Sequence, residues 1–158
     1  MYREKIEELK KWKQSPDRKP LIIRGARQVG KTWLMKEFGE KYYDKCAYIN
    51  FDDNSRMTKL FEEDFDLDRI IQGLKIESGV NIEAENTLII LDEIQETAKA
   101  LKALKYFCEN AREYHIISAG SLLGVAIHEG TSFPVGKVDF LDLKPLSFFE
   151  FIEAMRRK

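Results

Sequence analysis

Two cysteines are all that the chain offers for cross-linking, and Cys46 and Cys108 lie in separate apolar stretches with no second Cys or His at metal-ligand spacing. A disulfide scaffold and a Cys/His metal fold are thereby excluded, and both residues are expected as buried thiols in a reducing compartment. Glycine (9) and proline (4) are sparse, which removes collagen-like and low-complexity readings. A net charge of -1 provides neither a global basic field for nucleic acid nor an acidic solvating tail, although local patches remain open. The longest mostly apolar stretch, Ile116 to Ile127, is interrupted by two Gly and two Ser and falls well short of the roughly 20 residues that span a bilayer. The start, Met1-Tyr2-Arg3-Glu4-Lys5, lacks the apolar core of a secretory signal, so a cytoplasmic protein with no membrane partner is expected. What is present, 158 residues with 44% hydrophobic and 34% charged, suits one folded domain of ordinary size.

Hydrophobic spacing sets out the elements. Tyr2, Ile6, Leu9 and Trp12 fall near one face of a helix over residues 1–13, and Ser15-Pro16-Asp17 ends it. Leu21-Ile22-Ile23 reads as a strand buried on both faces, and a helix follows from Lys31 with Leu34, Phe38 and Tyr42 four apart. Cys46 to Phe51 is a second strand. Between Asp52 and Glu85 the chain is more polar, with helical spacing at Phe61 and at Leu67, Ile70, Ile71 and Leu74. Thr87-Leu88-Ile89-Ile90-Leu91 is the clearest strand, and a helix over 98–112 with Thr97 at its N-cap comes next. Tyr114 to Ser118 and the more alternating Val138 to Leu143 complete the strands, and Ser147 caps a final helix that runs to the end with no Gly or Pro stop, so the native chain is expected to continue. Apolar strands alternating with helices predict a parallel sheet covered on both faces.

Gly25-Ala26-Arg27-Gln28-Val29-Gly30-Lys31-Thr32 matches G-x-x-x-x-G-K-[ST] in full, between a buried strand and an amphipathic helix. Glycines let successive backbone N–H groups point inward, and the helix N-terminus adds partial positive charge for phosphate oxygens. Lys31 is expected on the β- and γ-phosphates of a nucleotide and the Thr32 hydroxyl on Mg²⁺. The second half of such a site is an acid at the end of another buried strand, which Asp92 supplies as metal-side carboxylate. Glu93, next to it, either orients and deprotonates a water for attack on the γ-phosphate or caps the following segment. On the strand beside Asp92 a polar tip residue is expected; Ser118 and Ser121 are candidates, Ser121 preferred, and both could instead fill a tight turn. Glu93, Lys31 and Ser121 thus form the expected catalytic set.

These segments, with Leu91-Asp92-Glu93-Ile94-Gln95, Ala119-Gly120-Ser121-Leu122-Leu123-Gly124, Phe133-Pro134-Val135-Gly136-Lys137-Val138 and Pro145-Leu146-Ser147-Phe148-Phe149-Glu150-Phe151, resemble the prokaryotic AAA-type P-loop ATPases that carry the C-terminal domain of unknown function called DUF4143. The resemblance covers nearly the whole chain. It implies an α/β three-layer sandwich with parallel strand order 5-1-4-3-2, the class with an added strand and a catalytic Glu. It further implies ATP and Mg²⁺ as ligands and residues 1–158 as the ATP-binding domain, with 1–19 as N-terminal helix and linker. The C-terminal partner domain of the same polypeptide lies outside the chain, a homo-oligomer is a possible assembly, and the resemblance names no DNA or protein partner. Where many members have Gly-Arg, this chain has Gly136-Lys137, which puts a charge-stabilising role in a neighbouring subunit's site in doubt at Lys137.

Several other features carry weaker signals. Asp64-Phe65-Asp66-Leu67-Asp68 alternates acids like a calcium loop, but Arg69 and Lys75 stand where that loop needs Gly and Glu. His115 and His128 have no ligand-spaced companion and are read as structural. Arg24 and Arg27 either contact nucleotide or a neighbouring subunit or only solvate a face. Phe148, Phe149 and Phe151 are expected to pack on the absent domain. The chain has no Asn-Lys pair for a guanine-reading segment and no Arg-rich lid of a small-molecule kinase. An ATP hydrolase driving a conformational change is therefore the leading reading, and a nucleotide-binding interaction module with negligible turnover is the alternative.

Overall fold

The computed structural model describes residues 2–25, 30–120 and 136–144, together with residues 152, 153, 155 and 156. Helix α1 (Tyr2–Gln14) leads into strand β1 (Leu21–Arg24), then α2 (Lys31–Tyr42) and β2 (Lys45–Asn50). Two helices, α3 (Ser55–Glu63) and α4 (Leu67–Ser78), precede β3 (Thr87–Asp92), which ends in a single 3₁₀ turn (Ile94–Glu96). Helix α5 (Ala98–Asn110), β4 (His115–Gly120) and β5 (Asp139–Asp142) follow. The sheet order is β2-β3-β4-β1-β5 with every pairing parallel, the expected 5-1-4-3-2 order read from the other edge.

Strand alternation divides the apolar residues into two cores. Ile22, Ala47, Ile49, Ile89, Leu91 and Ile116 face α3, α4 and α5, whose Phe61, Leu74 and Leu104 they meet. Leu21, Ile23, Leu88, Ile90, Ile117 and Ala119 face α1 and α2 against Leu9, Trp12, Leu34 and Phe38. β3, in the interior of the sheet, is buried along its whole length, which is why its sequence is continuously apolar rather than alternating. β5, at the edge, is exposed at Phe140 and Asp142 and buried at Leu141, and its two charged ends suit an edge strand.

Local chemistry sets the ends of the elements. The alternating acids after α3 serve the start of α4. Asp66 accepts hydrogen bonds from the backbone N–H groups of Asp68 and Arg69 at the start of α4, and Asp64 accepts from the N–H of Asp66 and from Arg69 Nε. Thr97 stands at the N-cap of α5 but makes no cap bond; its hydroxyl lies 3.1 Å from that of Thr58 and ties α5 to α3. Cys108 is buried as expected, whereas Cys46 is only partly so, because β2 is an outer strand. The expected final helix from Ser147, with Phe148, Phe149 and Phe151, lies outside the described residues apart from four of its positions. Among the described residues no helix is long and apolar enough to cross a membrane.

Candidate functional site at the ends of β1 and β3

β1, β3 and β4 run parallel and end on the same edge of the sheet, so the segments leaving β1 and β3 emerge side by side. Gly30 closes the loop after β1 with φ 91°, a left-handed conformation that glycine adopts without a Cβ clash, and α2 starts directly after it. Lys31, the first helical residue, is buried at 7% exposure, and its Nζ donates to the carbonyl of Gly25 at 2.7 Å. The ammonium is thus folded back across the mouth of the loop. Burial pushes its pKa down, and the nearby carboxylates of Glu93 and Asp92 push it back up. Among the predicted loop residues, Gly25, Gly30, Lys31 and Thr32 are described; Ala26, Arg27, Gln28 and Val29 lie outside the described residues.

Asp92 ends β3 on the face that α2 covers, because it alternates with Leu88 and Ile90. Its carboxylate is 3% exposed and fully engaged on one oxygen: Oδ2 accepts from Thr32 Oγ1 at 2.6 Å and from the Tyr48 hydroxyl at 2.6 Å. Oδ1 accepts from the backbone N–H of Glu93 at 3.0 Å. The two halves of the predicted site, Thr32 of the loop and Asp92 of the strand, are therefore in direct contact across 60 residues of sequence.

At Glu93 the chain leaves the sheet in a left-handed conformation, φ 55° and ψ 41°, which costs a non-glycine residue about 1 kcal/mol or more. This turn sends Glu93 away from the strand's alternation and toward Lys31. Its side chain does not cap the 3₁₀ turn. Instead Oε2 accepts from Gln95 Nε2 at 2.8 Å, while Gln95 Oε1 is buried with no partner.

Ser118 sits on β4 level with Leu91 of β3 and Ile22 of β1, fully buried, with an unpartnered hydroxyl. Its place in the alternation puts it with Ile116 on the face opposite Asp92. Ser121, the preferred tip residue, lies outside the described residues, as do Arg27 and His128. Arg24 is engaged at the edge of the sheet: Nε donates to Asp142 Oδ1 at 2.8 Å, and the guanidinium stands 4.3 Å from the centre of the Phe140 ring. Lys137 forms an ion pair with Glu109 at 3.5 Å. His115 opens β4 at the far end from the site, with Nδ1 2.6 Å from the Tyr43 hydroxyl. Burial pushes its pKa down to about 4, helped by Arg18 and Lys13, and burial pushes the Tyr43 phenol up. The phenol thus keeps its proton and donates it to a neutral imidazole, a structural pairing.

Tyr48 and Gln95 were missed by the sequence reading. Tyr48 had a signal in principle: with β2 beside β3, alternation puts residue 48 on the face of Asp92, two positions before its level partner Asn50. Gln95 stood in the Leu91-Asp92-Glu93-Ile94-Gln95 segment, but its bond to Glu93 depends on the left-handed turn, which the segment does not announce.

A family model described as an AAA domain matches residues 17–152. Among curated proteins none matches. The Aeropyrum pernix ORC2 protein in its ADP form is similar with TM-score 0.59 and 16% identity, over 99% of this chain and 50% of that one. The Aeropyrum pernix ORC1 protein in complex with DNA gives 0.56 and 13%, over 99% and 47%. The Thermotoga maritima RuvB Holliday junction branch migration motor gives 0.56 and 12%, over 99% and 48%. At these identities the likeness is one of fold, and the chain spans about half the length of the solved chains it matches. With the family match extending over most of its length, and a parallel sheet in the order that the resemblance implied, the chain belongs to the AAA domain family and is an AAA-type P-loop ATPase domain.

Proposed function

We propose that this domain binds ATP with Mg²⁺ at the loop from Gly25 to Thr32 and hydrolyses it, Glu93 taking the proton of the attacking water. The nucleotide state is then passed to a C-terminal domain of the same polypeptide, the DUF4143 domain that the sequence resemblance implies. The observation that carries the reading is the contact of Thr32 Oγ1 with Asp92 Oδ2 at 2.6 Å. It joins a hydroxyl and a carboxylate, two hard oxygen donors, at a helix N-terminus. That donor set fits Mg²⁺, which takes few protein ligands and completes its octahedron with water and phosphate oxygens. No cluster of three or more His, Cys, Asp or Glu, which would suit other metals, occurs among the described residues.

When bound, Mg²⁺ neutralises the charge that builds on the β- and γ-phosphates. The chain's own residues do the rest. Lys31, released from the Gly25 carbonyl, places its ammonium on the phosphate oxygens, and Thr32 and Asp92 hold the metal side. Glu93, held at Oε2 by Gln95, takes the proton of the water on its carboxylate in this reading. Residues 26–29 and Ser121 complete the loop and the strand-tip position in this reading.

Glu93→Gln tests it. The variant should bind Mg²⁺-ATP like the parent, with about 2.7 kcal/mol of stabilisation at 100 times its Kd, while turnover falls by about two to four orders of magnitude. Unchanged turnover would remove Glu93 as the base. A parent that is stabilised by ATP yet releases no phosphate would favour the interaction-module reading, in which Gln95 keeps Glu93 occupied.

A further inference from the structure

We infer that Tyr48 is a positioning residue of the metal side of this site, holding Asp92 in the orientation in which it receives a hydrated divalent cation; the inference rests on the nucleotide-binding reading given above. An ionised carboxylate has about four acceptor positions. Asp92 uses three of them within the protein: the Glu93 N–H on Oδ1, and the Thr32 and Tyr48 hydroxyls together on Oδ2. The first is local, and the second comes from the residue assigned to the metal. Tyr48 is the partner from a separate element that has no ligand of its own to hold, and its hydroxyl also interacts with that of Thr32, so it borders both metal-side groups.

The phenol is itself fixed by the helix that carries the phosphate-binding end. Lys36, one turn after Thr32 on α2, places Nζ 4.0 Å from the centre of the Tyr48 ring. β2 holds the backbone of Tyr48 level with Ile90, so the side chain leans along the strand to reach Asp92. Tyr48 thereby connects three elements: the Lys36 cation on α2, its own strand β2, and the buried carboxylate at the end of β3. Hydrogen-bond partners of metal-side groups characteristically set metal affinity, and losing one weakens binding by about ten- to a hundredfold.

The test is a Mg²⁺ titration of the ADP-loaded chain followed by thermal unfolding, for the parent and for Tyr48→Phe, which keeps the ring and its contact with Lys36. ADP with chelator should stabilise both chains equally. The Mg²⁺ concentration that gives half of the additional stabilisation should rise about tenfold in the variant. The same comparison by Mn²⁺ electron paramagnetic resonance in the cold gives a readout independent of the unfolding temperature if the variant melts early. A variant that melts earlier without nucleotide but has the parent's Mg²⁺ and Mn²⁺ midpoints would overturn the assignment, leaving Tyr48 a packing residue. A parent that shows no response to ADP at all would overturn the nucleotide reading, and the assignment with it.

Discussion

His115 enters the folded state as a neutral imidazole under Trp12 and against the Tyr43 hydroxyl. Its pKa falls from the ordinary 6.5 to about 4, through burial first and then the charges of Arg18 and Lys13. Between those values the unfolded chain binds a proton that the folded chain refuses, so stability is complete above pH 6.5 and is lost as pH falls toward 4. The loss amounts to about 3 kcal/mol. In His115→Gln this part of the acid sensitivity should vanish, so urea unfolding at several pH values should show parent and variant curves drawing together below pH 6.5; parallel curves would refute it. Residue by residue, the candidate site was legible where chemistry demands a type at a spacing: Gly25, Gly30, Lys31 and Thr32 by the loop pattern, Asp92 by its place after four aliphatic residues. Tyr48 was not, because a tyrosine in an apolar strand reads as core until its neighbour strand is known.

At the scale of elements, glycines separate two kinds of helix packing. A Cβ on Gly39 of α2 would lie 2.8 Å from Cys46 Sγ and 3.2 Å from a Leu88 methyl, so α2 approaches β2 and β3 too closely for any side chain there. Gly39→Ala should therefore lower stability by about 1–3 kcal/mol although alanine is the better helix former, and Gly39→Ala with Cys46→Ala should recover part of it. A Cβ on Gly73 of α4 meets the Leu60 side chain alone, its methyls and Cγ, and Leu60 is only partly buried and can turn aside. Gly73→Ala should be neutral or stabilising by up to about 1 kcal/mol. Thermal or denaturant unfolding of the variants checks both signs. The five strands and helices α1, α2, α4 and α5 were legible from periodicity, with Ile70 and Leu74 on the buried face of α4, whereas α3 was signalled only by Phe61 and the 3₁₀ turn Ile94–Glu96 not at all. What periodicity could not show was the use of caps: Asp64 and Asp66 look like metal ligands in sequence and act as hydrogen-bond acceptors for α4, and Thr97 is diverted to Thr58.

At the scale of the whole molecule, the sheet is layered between two helical faces, and protection should follow depth in it. The backbone amides of β3 and β4, flanked on both sides and buried throughout, should exchange with deuterium slowest. Those of β5, four residues long at the edge, should exchange faster than all the other strands. Exchange in β5 as slow as in β3 would contradict this. The strand order was legible only through family resemblance, because nothing in local periodicity tells which strands adjoin. That order has a consequence for synthesis. β1 leaves the ribosome before the other described strands, yet both of its neighbours in the sheet, β4 and β5, are the last of them to follow. Leu21-Ile22-Ile23 must therefore wait, unpaired and apolar, while β2, β3 and the helices between them assemble first. The nascent phosphate loop is tethered to a strand with no place in the sheet until β4 emerges, a window in which sequestration by a chaperone would matter most.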